Sequence, residues 1–459
     1  MAPRKSSASA PVGQHAAVPT MLQWNARHGF ILAGVLLALM IDGIAINLIS
    51  LVAPLLMKDW QLTEAQMGPI MASALLGMII GTSAGGLLGD RIGCRKMLLA
   101  AMIIFGLATL ATPFLEGHTE RNIARFVAGL GFGTAAPNGL ALVADWLPSS
   151  VRTKAVVLLS VAVPLGGAIG AAGVGALVPS LGWQGCFLAV GGLSLAIAVV
   201  VAAFVPESSS YLVRSGKVHK AHAAFLRIYR TNADENYFEV RNDGRSKNKS
   251  IGVPQAYRRL LYGTMLIYFC IQFVIFGFAG WATVFLTDKG FSLSQALTAV
   301  FLTNAFGVIG ALSTSFLVER FGSFRLLAVC FAVSLVAVIV TGFILANDIT
   351  VSTHIAIWAV DALIAITSLM LGSASTTVWT VMAAGYPPEV RGTGVGLGLT
   401  AGRIGSAAIL LTGGSLLAFE TQVFTLFFLA MAVALVVAVS SLKIIDRHIA
   451  PKRRAAALP

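Results

Sequence analysis

Gly86-Leu-Leu-Gly-Asp90-Arg91-Ile-Gly93 and Ser315-Phe-Leu-Val-Glu319-Arg320-Phe-Gly322 together decide the architecture of this chain. Each ends in an acid, an arginine, one further residue and a glycine, and each closes the second of six apolar runs in its half of the sequence. A motif returning at the same place in two successive sets of apolar segments marks a duplicated unit. Around the first copy, helices are expected near 29–56, 68–88, 97–115, 122–143, 155–178 and 185–205; around the second, near 260–286, 294–317, 326–346, 354–383, 392–418 and 423–443. Runs of roughly 20 apolar residues span about 30 Å of hydrocarbon as helix and are too long for barrel strands. The expected fold is therefore an all-α membrane protein of twelve transmembrane helices in two pseudo-symmetric six-helix halves. The chain divides into an N-terminal tail (1–28), a first half (29–205), a central loop (206–259), a second half (260–443) and a C-terminal tail (444–459).

Composition agrees: 57% of the 459 residues are hydrophobic, 11% are charged and mean hydropathy is +0.85, against roughly 25% charged residues in a soluble domain. A net charge of +13 would suit a nucleic-acid partner, but the placement of the cations explains it otherwise. Arg91, Arg95 and Lys96 share one short loop, Arg152 and Lys154 another, and Arg214, Lys217, Lys220, Arg227, Arg230, Arg241, Arg245, Lys247 and Lys249 fall in the central loop; the alternate loops hold mainly Lys58 and Lys289. Under the positive-inside rule this puts both termini and the central loop in the cytoplasm of a multi-pass protein, and no nucleic-acid role is needed. Within the loop, Val218, Ala221, Phe225 and Tyr229 recur at helical spacing among basic residues, which fits either an amphipathic helix on the membrane surface or, more simply, a solvated linker touching lipid headgroups. Residues 1–28 carry no separate apolar core and read as a cytosolic tail. Cys94, Cys186, Cys270 and Cys330 are scattered, with no metal or disulfide pattern, and the seven histidines are dispersed. No enzyme, cofactor or metal site is expected.

Depth selects the first functional candidates. Asp42 lies about thirteen residues into helix one, near the bilayer midplane at 1.5 Å per residue. An acid there is costly unless paired or protonated, so it is either a proton carrier or a static hydrogen-bonded carboxylate. Arg403 is roughly eleven residues into helix eleven, between Gly402 and Gly405; it can hold a carboxylate bidentately or pair with a polar group of a neighbouring helix. Asp90, Arg91, Arg95, Glu319 and Arg320 stand at helix ends, where ion pairs can lock one conformation of a gate. Gly392, Gly394, Gly396 and Gly398 superficially suggest a phosphate loop, but they open an apolar helix with no strand before it. Gly394, Gly398, Gly402 and Ser406 form a small-residue packing seam instead.

Several motifs carry a family resemblance over essentially the whole chain. Gly86 to Lys96 is similar to the loop between helices two and three of the major facilitator superfamily, and Arg125-Phe-Val-Ala-Gly129-Leu-Gly131-Phe-Gly133-Thr-Ala-Ala-Pro137 is similar to its helix-four motif. Closer matches resemble the aromatic acid:proton symporter family: Asp42-Gly43, Ala53-Pro54, Pro137-Asn138, Asp145-Trp146-Leu147-Pro148 with Arg152, Pro164-Leu165-Gly166, Gly182-Trp183, Pro206-Glu207-Ser208, Trp281, Leu286-Thr287-Asp288, and Tyr386-Pro387 with Arg391, Gly394 and Arg403. That family's helix one usually reads Asp-Gly-x-Asp, and Ala45 stands here in place of the second acid; Gln184 stands where an arginine is frequent. The resemblance implies a monomer in a bacterial inner membrane, importing a small aromatic carboxylate, such as a hydroxybenzoate, together with protons. It also lifts Arg125 above the snorkelling role that its place near a helix end suggests and pairs it with Asp42 in proton coupling. Asn138, Gln272, Asn304 and Trp379 either face the cavity, the amides donating to substrate oxygens and the indole stacking on a ring, or each satisfies a contact between helices. An exporter exchanging drugs or organic anions for protons, and an importer of non-aromatic acids, are the rival readings. Val163 before Pro164, where such antiporters usually carry Gly-Pro, favours import.

Overall fold

A computed structural model describes residues 24–229, 254–346, 354–417 and 423–451. Arg230, Arg241, Arg245, Lys247, Lys249 and most of both expected tails lie outside the described residues. The helices are α1 (Ala26–Leu51), α2 (Ala53–Trp60), α3 (Glu64–Ile92), α4 (Cys94–Ala111), α5 (His118–Trp146), α6 (Ser149–Ser160), α7 (Ala162–Phe204), α8 (Ser209–Arg214), α9 (Val218–Tyr229), α10 (Arg258–Asp288), α11 (Leu293–Phe321), α12 (Ser323–Ala346), α13 (His354–Gly385), α14 (Pro388–Leu417) and α15 (Val423–Ser441). Ten helical stretches among the described residues are long and apolar enough to cross a membrane, and α15 adds a shorter one. The 43-residue α7 is two legs, because Gly182 has φ 65° and reverses the chain, a conformation glycine adopts without the penalty a Cβ would incur. Counting both legs and α15, the described residues make twelve crossings.

The duplication runs deeper than the acid–arginine motif. Gly93 after α3 and Gly322 after α11 both take positive φ, 119° and 78°. At the opposite ends of the same two helices, Thr63 N–H donates to Gln66 Oε1 (3.0 Å) and Ser292 N–H to Gln295 Oε1 (2.8 Å), so both helices start with a glutamine reaching back to the residue before the helix. The helix packing repeats as well: a Cβ on Gly81 would strike the Leu130 carbonyl of α5, and one on Gly310 the Leu369 carbonyl of α13. Small residues let these backbones touch, which is how helices associate where no water is available to drive them together. The seam on α14 also follows the expected pattern, with Gly394 against the Tyr386 ring, Gly398 against Met382 and Gly402 against Tyr268.

The amphipathic helix exists as α9, but its apolar side does not lie on lipid. Ala221, Phe225 and Ile228 are buried against the protein. The Tyr229 hydroxyl donates to the Trp146 carbonyl (2.5 Å), its ring lies 4.8 Å from that of His28, and Asn25 Nδ2 donates to the Ile228 carbonyl (2.7 Å). Helical spacing shows which face is apolar, not what covers it. Here α8 and α9 strap the first half: Asp145 accepts from the hydroxyls of Ser208 and Ser210, and Trp146 Nε1 donates to the Glu207 carbonyl (3.1 Å).

Candidate functional site

Asp42 sits where α1 and α7 run backbone against backbone: a Cβ on Gly43 would strike the Val163 carbonyl, and one on Gly166 that of Met40. The Asp42 side chain is 0% exposed, and neither carboxylate oxygen has a hydrogen-bond partner among the described residues. The charge that reaches it is Arg403, on α14 in the other half. No ion pair within 4.0 Å joins them, so the two charges face each other across a gap.

Arg403 is half-buried, and its Nη1 rests against Met78 Sδ of α3. A thioether is a weak acceptor, so the guanidinium keeps donors for a ligand. Beside it, the Tyr268 hydroxyl accepts from Trp379 Nε1 (3.1 Å) and from Ser375 Oγ (3.4 Å). Gly402 makes the room: a Cβ there would collide with the Tyr268 ring and lie 2.9 Å from Gln272 Cγ. Arg403, Tyr268, Gln272, Trp379 and Ser375 thus form one cluster in the second half, opposite Asp42 in the first. Trp379 is 41% exposed, leaving much of its surface open. Tyr268 is the member that sequence reading misses. One tyrosine in an apolar helix carries no spacing signal beyond standing four residues before Gln272, on the same face.

Two candidate cavity residues lie elsewhere. Asn138 is 2% exposed, and its Nδ2 donates to the carbonyls of Gly85 (3.0 Å) and Thr134 (2.8 Å), so it fills the groove between α3 and α5 above Gly89 rather than lining a cavity. Both hydrogens of its NH2 are spent on this helix crossing, so none is left to donate to a ligand. Asn304 is 9% exposed and donates to Val300 of its own helix (3.0 Å). Its Oδ1 and Asn47 Nδ2 of α1 both lie beside Gly167 of α7, where a Cβ would come within 2.6 Å and 2.9 Å of them, at the seam between the halves.

Arg125 is 1% exposed and does not snorkel; none of its three guanidinium nitrogens has a partner among the described residues. A buried cation without hydrogen bonds costs several kcal/mol. Its Cζ lies 6.0 Å from the Phe132 ring centroid. Because Gly139 of α5 abuts Val35 of the antiparallel α1, Phe132 stands at about the height of Asp42, two turns further along both helices. The side chain therefore reaches toward the Asp42 level, although the field that acts on Asp42 comes from Arg403.

Of the helix-end residues, Asp90 and Arg95 pair within their own half. Asp90 pairs with Arg214 of α8 at 3.1 Å, and the Arg95 backbone N–H donates to Glu207 Oε1 (2.9 Å) while its Nη2 donates to the Ala202 carbonyl. Arg91, Glu319 and Arg320 are exposed, with Arg320 5.4 Å from the Phe321 ring. Contacts between the halves occur from the level of Asp42 and Arg403 toward the opposite end: Thr283 Oγ1 donates to the Ser50 carbonyl, a Cβ on Gly68 would lie 2.7 Å from the Leu410 carbonyl, and one on Gly414 would strike that of Glu64. The halves are thus pressed together at the Glu64 end.

Comparison with known proteins adds three findings. A family model described as Major Facilitator Superfamily matches residues 35–410. The chain is 28% identical over 385 residues to a gallate transporter of Pseudomonas putida (83% of this chain, 84% of the relative), and 28% identical over 410 residues to the 4-hydroxybenzoate transporter PcaK of Pseudomonas aeruginosa (87% and 89%). Among solved structures, a partially occluded inward-open form of the xylose transporter XylE from E. coli superposes with TM-score 0.74 at 18% identity, covering 92% of this chain and 99% of that one.

Proposed function

The chain belongs to the Major Facilitator Superfamily, and from that premise we propose that it imports a small aromatic carboxylate across a bacterial inner membrane together with protons. It is a transporter, not an enzyme. One observation carries the coupling: a fully buried, unpartnered Asp42 lies in the field of a single half-buried Arg403. Two anions, the substrate carboxylate and Asp42, then compete for one cation. When the substrate takes Arg403, Asp42 loses its compensation and is tolerable at that depth only with a proton. Proton and substrate therefore occupy the site together.

The remaining roles follow. The Arg403 guanidinium grips the carboxylate, Tyr268 and Gln272 offer further polar contacts, and the open surface of Trp379 receives the ring. Arg125, buried and unpartnered, responds to the charge of Asp42 from within the same half. Loops rich in Lys and Arg at the Asp90 end orient that end to the cytoplasm, so the closed Glu64 end faces outward and this conformation is inward-facing. The halves then rock about the site as a monomer, with Asp90, Arg91, Arg95, Glu319 and Arg320 meeting new partners when the cytoplasmic end closes. The gallate and hydroxybenzoate relatives support the substrate class.

The test separates coupling from translocation. In membrane vesicles, Asp42→Asn is expected to abolish accumulation driven by an inward proton gradient yet to keep exchange of labelled for unlabelled substrate, because exchange needs no net proton movement. Gradient-driven accumulation surviving in Asp42→Asn would remove Asp42 from the coupling role.

A further inference from the structure

Asp361 is an ionisable group that the scheme above does not use. It lies on α13 within the span Ile357–Gly385, in the half that lacks Asp42, and is 8% exposed. No hydrogen bond or ion pair reaches it among the described residues. Four helices pack on α13, namely α10, α11, α12 and α14. Their ionisable side chains include Asp288 at the end of α10, Tyr268 and Arg403 at the substrate cluster, and Glu319, Arg320 and Arg325 at the Asp90 end, and none of them forms an ion pair or hydrogen bond with Asp361.

Position on the helix gives Asp361 a direction. Residues seven, eleven, fourteen and eighteen places on, Ser368, Gly372, Ser375 and Trp379, fall within about 40° of it at 100° per residue. Ser375 and Trp379 are the residues that hold the Tyr268 hydroxyl, and Gly372 meets Gly307 of α11. Asp361 thus continues the substrate-cluster face of α13 toward the end where the halves are closed. An acid with no cation near it, inside a membrane span, is tolerable only when it carries a proton, and it can shed that proton only when water or a cation reaches it. Rocking of the halves opens the closed end and supplies water there.

We propose that Asp361 is a second proton-binding site, located in the second half, which loads when that end is open and releases into the cytoplasmic cavity during the cycle. This rests on the import reading above. The charge balance is definite. A monovalent carboxylate carried with the Asp42 proton alone moves no net charge; carried with protons on both Asp42 and Asp361, it moves one net positive charge inward.

Proteoliposomes holding the full chain decide between these cases, with labelled 4-hydroxybenzoate as the probe. At equal internal and external pH, an inside-negative potassium diffusion potential is expected to drive uptake by the wild type. Asp361→Asn is expected to lose potential-driven uptake while keeping uptake driven by a pH gradient, its ratio of protons to substrate falling from two to one. Wild-type uptake indifferent to the potential, or an Asp361→Asn ratio equal to that of the wild type, would overturn the second site while leaving import itself intact. Absence of uptake under either gradient in the wild type would instead count against the import reading. Asp361→Asn replaces a buried, unpartnered acid by a neutral near-isostere, so its thermal stability should match or exceed that of the wild type, and a drop would show a structural role and contradict the proposal.

Discussion

Replacing Arg403 by glutamine removes the one charge acting on Asp42 among the described residues, and the size of the effect can be worked out. At an effective dielectric of about 20, unit charges at 4 Å attract by about 4 kcal/mol; Asp42 and Arg403 stand wider apart than that, and water in the half-open cavity around Arg403 reduces the attraction toward ~1–2 kcal/mol. In Arg403→Gln, Asp42 keeps its burial and loses its compensation, so the single variant should be less stable by about that amount. In Asp42→Asn there is no anion to strand, and Arg403 is half-exposed, so that variant should be close to neutral. The double variant should then recover most of the loss, giving a coupling of ~1–2 kcal/mol in a double-mutant cycle. Purified protein heated in detergent with a thiol-reactive dye reads this directly, because Cys94, Cys186, Cys270 and Cys330 are all buried until the fold opens. Equal destabilisation by Arg403→Gln with and without Asp42 would refute the idea that the two charges share one field, and with it the competition on which coupling is built.

Other consequences are open to test. Asn138→Ala removes two hydrogen bonds to backbone carbonyls and should cost ~1–3 kcal/mol of thermal stability with an unchanged KM for substrate; a raised KM at wild-type stability would return Asn138 to the binding site. Gly414→Ala sets a methyl against the Glu64 carbonyl and should pry the closed end apart, which a cysteine placed at Ser50 would report as faster labelling from outside; unchanged labelling would mean that the contact does not hold the end shut. Gly402→Ala, which collides with the Tyr268 ring, should raise KM about tenfold or more with little change in the maximal rate of exchange, whereas a change confined to the maximal rate would argue that Tyr268 is remote from the substrate.

Much of this was legible in the sequence because membrane helices advertise themselves. Asp90-Arg91 and Glu319-Arg320 repeat in register, and a duplicated unit needs no packing information to be seen. Asp42 and Arg403 were found by depth alone, since a charge in the middle of an apolar run is expensive wherever its neighbours lie. What depth could not give was direction around the helix. Asn138 and Trp379 look alike as polar handles in apolar helices, yet one amide is spent on the carbonyls of Gly85 and Thr134 while the indole stands open. The apolar stripe of α9 raised the same ambiguity: lipid and the underside of the first half are equally apolar, and only tertiary contact distinguishes them. Arg125 shows the limit from the other side, because its place near a helix end suggested snorkelling while the structure buries it completely.

Proton-coupled import of an aromatic acid is read out by uptake of radiolabelled 4-hydroxybenzoate, gallate, benzoate and a set of non-aromatic acids into cells expressing the protein, with and without a protonophore. At least one aromatic acid is expected to accumulate above its external concentration, and the protonophore to abolish the accumulation. Accumulation of non-aromatic acids alone, or no uptake with faster loss of preloaded dyes, would contradict proton-coupled import of an aromatic acid.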